Sequence, residues 1–186
     1  MIRLTATGVI ARGRCLPVLI GRGGLSQTKR EGDNATPIAS LRITGMLYRP
    51  DRMAPPQSWA RPIGPRDLWC DDPAHREYNH HVRAPFSASH EALRRPDPLY
   101  DIILLTSWNF PLAVAGKGSA IFLHQRRRAG YPTAGCLAFR RDHLHWLARQ
   151  VNLNETLLIP DLACHQPAAG TFQAVRQPVR HRLDKA

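Results

Sequence analysis

The sequence predicts a mainly β domain of the β-rich α+β kind, with one or two helices. Sixteen prolines and thirteen glycines are spread through 186 residues, a pattern that favours short strands and many turns over a helical bundle. The apolar residues fall in short runs bounded by turn formers, and a single stretch carries helical spacing. Apolar residues make up 43% of the chain, which excludes wholesale disorder and allows one domain with a substantial core.

Residues 5–10 and 15–20, separated by Ala11-Arg12-Gly13-Arg14, read as a β-hairpin that Gly21, Gly23 and Gly24 bring to an end. A polar loop follows from Lys29 to Pro37, rich in turn formers. Residues 41–48 alternate loosely and predict a strand. Prolines then recur from Pro50 to Pro98, so 49–99 is expected to be a long structureless insertion forming a binding rim or lid. Residues 100–106 (YDIILLT) and 120–123 are continuous apolar runs suited to buried strands, the second ending at His124. Asp142 is expected to cap a helix whose apolar stripe is Leu144, Leu147, Ala148 and Val151. Residues 156–159 read as a last strand. The domain is expected to span 1–163, with a basic, mobile tail over 164–186.

The formal charge is +12 and the sequence pI is near 10.7, a balance that attracts polyanions in general. There is no RNP-type aromatic motif, zinc finger or long basic helix, so no nucleic-acid partner is expected and an acidic peptide or wall polymer is preferred. Cys15, Cys70, Cys136 and Cys164 show no C-x-x-C spacing, which argues against a zinc knuckle or thioredoxin-like site. Two disulfides remain open on number alone; the preferred reading is one reactive thiol and three packing ones. No apolar run reaches eighteen residues, so no membrane span is expected. The N-terminus lacks an apolar core of signal-peptide length.

Chemistry concentrates between Gly118 and Phe139. Gly135 beside Cys136 permits torsions that a side chain forbids and lets a substrate approach closely. The amides of Gly135 and Cys136 are placed to face a developing oxyanion. His124 closes an apolar run twelve residues earlier, where a polar ring needs a cleft or a hydrogen bond. Read alone, a cysteine such as Cys136 is more often a packed strand cysteine than a nucleophile, and His124 fits a satisfied strand-end histidine.

These residues resemble the YkuD family of L,D-transpeptidases. Its members carry a strand-end histidine followed, after a variable loop, by Ser or Thr, one residue, Gly and Cys; the matching positions are His124, Thr133, Gly135 and Cys136. A compact single-domain branch is similar over nearly the whole chain. The similarity runs through Gly21-Arg22-Gly23-Gly24, Lys29, Glu31-Gly32-Asp33, Thr36-Pro37 and Tyr48-Arg49-Pro50-Asp51-Arg52. It continues through Trp69-Cys70-Asp71-Asp72-Pro73, Tyr78-Asn79 and His90-Glu91. Two features depart from many relatives: Ala134 stands where a second histidine is common, and Leu137-Ala138-Phe139 where an asparagine or arginine soon follows the cysteine.

The resemblance implies a YkuD-like β-sandwich and two-step acyl transfer on peptidoglycan stem peptides, with Cys136 as nucleophile and His124 as base. It implies no cofactor and no metal, and acylation of Cys136 by carbapenem-type inhibitors. Thr133, Arg127, Arg52, Arg49, His90 and Trp69 are the candidates for substrate contacts, the arginines because their fork matches a carboxylate. Asp71 and Asp72 are candidates for the cleft wall. A wall cross-linker is expected in the periplasm. Two alternatives stay open: a hydrolase releasing the same acyl-enzyme to water, and a basic wall-binding module with an inert Cys136.

Overall fold

The computed structural model describes residues 1–162; Cys164 and the expected tail lie outside the described residues. The strands are β1 (Ile2–Thr5), β2 (Gly8–Ala11), β3 (Arg14–Leu16), β4 (Val18–Leu19), β5 (Leu25–Ser26), β6 (Thr36–Pro37), β7 (Ala39–Tyr48) and β8 (Arg61–Pro62). They continue with β9 (Asp67–Cys70), β10 (His81–Arg83), β11 (His90–Ala92), β12 (Ile102–Thr106), β13 (Leu123–Gln125), β14 (Leu137–Phe139) and β15 (Thr156–Ile159). One α-helix, α1 (Arg141–Gln150), lies between β14 and β15, and a 3-10 turn (Pro98–Tyr100) precedes β12. The fold is mainly β, as the sequence predicts.

Ten strands form one sheet in the order β3-β2-β1-β15-β7-β12-β13-β14-β4, with β8 beside β7. The predicted strand over 15–20 is broken at Pro17, which has no N–H to give to a ladder. Its halves, β3 and β4, stand at opposite ends of the strand order, so one residue ties the two edges together. That link draws the sheet nearly into a barrel. β3 pairs with β2 through a two-residue turn in which Arg12 (φ 47°) and Gly13 (φ 75°) both take left-handed torsions, the combination that suits a tight hairpin. β1, absent from the sequence reading, pairs with β2 and, in parallel, with β15.

Side-chain alternation divides the core. On β12, Ile102 and Leu104 join a cluster with Leu123, Leu137 and Phe139, while Ile103 faces a second cluster with Leu47, Trp69, Tyr100 and Phe122. The helix seals the first cluster with Leu144, Leu147 and Ala148, and Val151 is buried at its C-terminal cap. Each leucine so buried contributes about 1.5–3 kcal/mol. Asp142 does not cap the helix: the N-cap is Arg140, which makes no side-chain capping bond. Asp142 lies inside the first turn and accepts from the Arg140 guanidinium at 3.0 and 2.7 Å, where its charge still suits the helix dipole.

The insertion over 49–99 is not structureless. β9, β10 and β11 form a three-stranded sheet in the order β10-β9-β11, and Trp69 from its centre stacks edge-on against Phe122 at 5.0 Å. The second cluster is therefore the layer between this small sheet and the large one, and the expected catalytic residues open onto it.

Candidate active site

β13 and β14 run parallel, with His124 opposite Ala138 and Leu123 opposite Leu137. Alternation then puts Cys136, one residue before β14, on the same sheet face as His124 and diagonal to it. Cys136 packs against the second cluster, and the Tyr100 ring, in that cluster, meets the His124 ring edge-on at 5.4 Å. His124 is the middle residue of β13 rather than its end, and only 6% exposed. Cys136 and His124 both line a cavity of about 590 Å³, a size suited to a small ligand segment.

The loop that presents Cys136 is clamped from two sides. Thr133 bridges to Gly21, taking the Arg22 N–H at 2.9 Å and giving its own to Ile20 O at 3.0 Å. Thr36 Oγ1 accepts the Gly21 N–H at 2.9 Å and donates to Gly135 O at 2.6 Å. At Gly21 an added Cβ would collide with the Asn34 carbonyl, and Gly135 (φ 146°) would put one 2.9 Å from Ala35 O. Only glycine fits this close crossing of two backbones. Thr133 Oγ1 donates to Cys136 O at 2.6 Å and accepts the Gly135 N–H at 3.1 Å. The Gly135 amide, expected as an oxyanion donor, is thus held by Thr133, and the Cys136 amide remains the candidate.

The thiol itself is held by backbone. It donates to Ala120 O at 3.1 Å and accepts the Phe122 N–H at 3.4 Å. Ala120 has φ 37°, a costly torsion for a residue with a Cβ, and its N–H donates to Asn79 Oδ1 at 2.8 Å. Asn79 is 1% exposed and also takes the Trp69 Nε1–H at 3.1 Å. Its own amide donates to Trp108 O at 3.0 Å and Asn109 O at 2.7 Å. Tyr78 beside it donates to Glu31, so the Tyr78-Asn79 and Glu31 motifs serve to fix the segment before His124.

His124 Nδ1 lies 2.8 Å from Gln125 O. A carbonyl only accepts, so Nδ1 carries the proton and Nε2 keeps its lone pair. Burial lowers the imidazole to about 4, against the pull of that hydrogen bond. Burial pushes the Cys136 thiol up to about 12; the Phe122 bond opposes this and the charge of Glu91 adds to it. The pair therefore rests as neutral thiol and neutral imidazole across the physiological range, not as an ion pair.

Trp69, Asp71, His90, Arg127 and Thr133 line the cavity. Arg127 also sits 5.7 Å over the Tyr131 ring. The structure does not bring Arg49, Arg52 or Asp72 to it. Arg49 is buried and bound to Asp51 at 2.9 and 2.8 Å and to Arg95 O. Arg52 binds Asp101 at 2.6 Å, Pro96 O at 2.7 Å and Asp97 O at 3.1 Å. Both arginines fasten the 95–101 segment rather than facing ligand. Asp72 takes the Ala74 N–H at 2.9 Å within a turn. Among the lining residues that escaped the sequence reading as site residues are Lys29, held by Asp33 at 2.6 Å, Arg22, Arg95, Glu91 and Tyr100. The Tyr100 hydroxyl donates to Glu91 Oε1 at 2.6 Å.

A family model described as an L,D-transpeptidase catalytic domain, YkuD, matches residues 3–160. The chain belongs to the YkuD family. This match covers every residue of the site described above, and the family acts on peptidoglycan. A search of curated proteins found no match, and neither did a search of solved structures. Cys15, Cys70 and Cys136 are free thiols. Among the described residues no group of three or more His, Cys, Asp or Glu side chains is placed to hold a metal ion, and no helix is long and apolar enough to cross a membrane.

Proposed function

We propose that this chain is a cysteine-dependent L,D-transpeptidase that cross-links peptidoglycan stem peptides through a thioester on Cys136. The observation that carries the reading is the placement of Cys136 and His124 on one face of the β13–β14 pair, opening onto one cavity, with the imidazole tautomer fixed by Gln125 O.

In this reading Nε2 of His124 takes the thiol proton as sulfur attacks the donor carbonyl. With the thiol near 12 and the imidazole near 4, transfer ahead of attack is steeply uphill, so proton and bond move together. The Cys136 amide supports the oxyanion, a contribution of about 3 kcal/mol for one well-aimed donor. His124 then protonates the departing amine, and an acceptor amine opens the thioester. Trp69 and Thr133 shape the cleft, while Arg127 and His90 at its rim meet stem-peptide carboxylates. A periplasmic location belongs to the same proposal, because that is where the wall polymer lies.

Incubation with defined tetrapeptide muropeptides tests the reading. Cross-linked dimers are expected from the wild type and none from Cys136→Ala. Shortened monomers alone would replace the transferase by a hydrolase, and salt-sensitive retention on wall material with neither product would leave a binding module.

A further inference from the structure

The cleft is lined by charges of both signs, Lys29, Glu31 and Arg95 among them. Arg22 and Arg127 stand on the side of the Cys136 loop, and the small sheet brings in Asp71 and Glu91. Asp71 follows β9, and its N–H donates to Ser89 O at 3.2 Å, which seats it beside β11.

This acidic wall is only partly countered, because the cation near it, Arg95, is shared with Asp97. Asp71 Oδ1 is buried with no hydrogen-bond partner, a state that costs about 1–3 kcal/mol for a polar group and more for a charged one. Glu91 receives one donor, the Tyr100 hydroxyl; burial raises its pKa and the charge of Asp71 adds to the rise. Arg95, the cation acting on Glu91, is engaged by Asp97 at 3.0 and 2.7 Å. Tyr100, which donates to Glu91, meets the His124 ring edge-on at 5.4 Å, so the wall reaches the Cys136–His124 pair through Tyr100.

We propose that Asp71 and Glu91 bind the primary ammonium of the acceptor and select charged amines as the group that opens the thioester on Cys136. The inference rests on the acyl-transfer reading above. An acceptor amine arrives as an ammonium at neutral pH, and its N–H donors supply what Asp71 Oδ1 and Glu91 lack. The ammonium gives one proton to the Glu91 carboxylate. Its nitrogen then bonds to the thioester carbonyl carbon and the carbon–sulfur bond breaks. The second N–H proton passes through His124 to the Cys136 thiolate, and Glu91 returns its proton to water.

The test loads Cys136 with a tetrapeptide donor whose own amine is acetylated. The acyl-enzyme is then chased with a stem tripeptide bearing a primary amine or with hydroxylamine, which is uncharged at pH 7. Release is followed by intact mass. Asp71→Asn and Glu91→Gln are each expected to raise KM for the peptide amine about tenfold or more, the loss of roughly one charged contact. Release is read from acyl-enzyme already formed, so the measure is the ratio of peptide-amine to hydroxylamine release, which should fall about tenfold whatever each variant does to acylation. An unchanged KM for the peptide amine, or equal loss with both nucleophiles, would overturn the inference while leaving acyl transfer intact. A wild-type chain that forms no acyl-enzyme would overturn both.

Discussion

Asn79→Ala offers a demanding check on how the site is held. Asn79 is 1% exposed and binds Trp69 Nε1, the Ala120 N–H and the carbonyls of Trp108 and Asn109 at 2.7–3.1 Å. Alanine leaves all four groups without that partner, at about 1–3 kcal/mol each when buried. It also places a Cβ residue at φ 60°, a torsion that asparagine tolerates and alanine resists by about 1 kcal/mol. Water entering the vacated space recovers part of this, so a net loss of about 4 kcal/mol is expected. Against a domain stability of about 5–15 kcal/mol, that is a large share. Urea denaturation followed by tryptophan fluorescence measures it. Because Ala120 O holds the Cys136 thiol, Cys136 should also be alkylated faster in the variant. A stability loss below about 1 kcal/mol with unchanged alkylation would refute the reasoning, showing that these groups find other partners.

Three further outcomes follow from the geometry. His124 has a folded pKa near 4 against about 6.5 unfolded, so the unfolded chain binds the extra proton and stability falls as pH drops from 6.5 to 4. The depression corresponds to about 3 kcal/mol, and His124→Gln should flatten that part of the pH–stability curve. The thiol, raised to about 12, acts in the opposite window: stability should decline as pH climbs above about 9, and Cys136→Ala should remove that component. Gly135→Ala should cost about 3 kcal/mol by thermal denaturation, since φ 146° and the Ala35 carbonyl both oppose a Cβ.

The sequence disclosed elements whose burial imposes a pattern. The strand at Thr156–Ile159 and the helix stripe of Leu144, Leu147 and Ala148 appear where expected, and the run expected over 100–106 forms a strand from Ile102 to Thr106, with Tyr100 in the preceding turn. The small sheet was hidden because its strands are three or four residues long and carry Asp67, His81, Arg83, His90 and Glu91. The face that packs Trp69 on Phe122 also carries Glu91 and Asp71 into the cleft, so no apolar period develops. Cys136 and His124 were legible as candidates chiefly through the family resemblance, with spacing and Gly135 in support, whereas the roles of the arginines were not. Arg49, Arg52 and Arg127 look alike in a sequence, and only folding reveals that Asp51 and Asp101 have claimed the first two. Glu91 and Tyr100 escaped as site residues because their partnership spans two elements, β11 and the turn before β12.

The central claim is that Cys136 is the atom that carries the acyl group. Intact-mass analysis after exposure to a carbapenem-type acylating β-lactam tests it most directly, with peptide mapping to place the adduct. One equivalent should add to Cys136 in the wild type, and no mass should add to Cys136→Ala. Equal labelling of Cys136→Ala, or an adduct mapped to Cys15 or Cys70 alone, would contradict it.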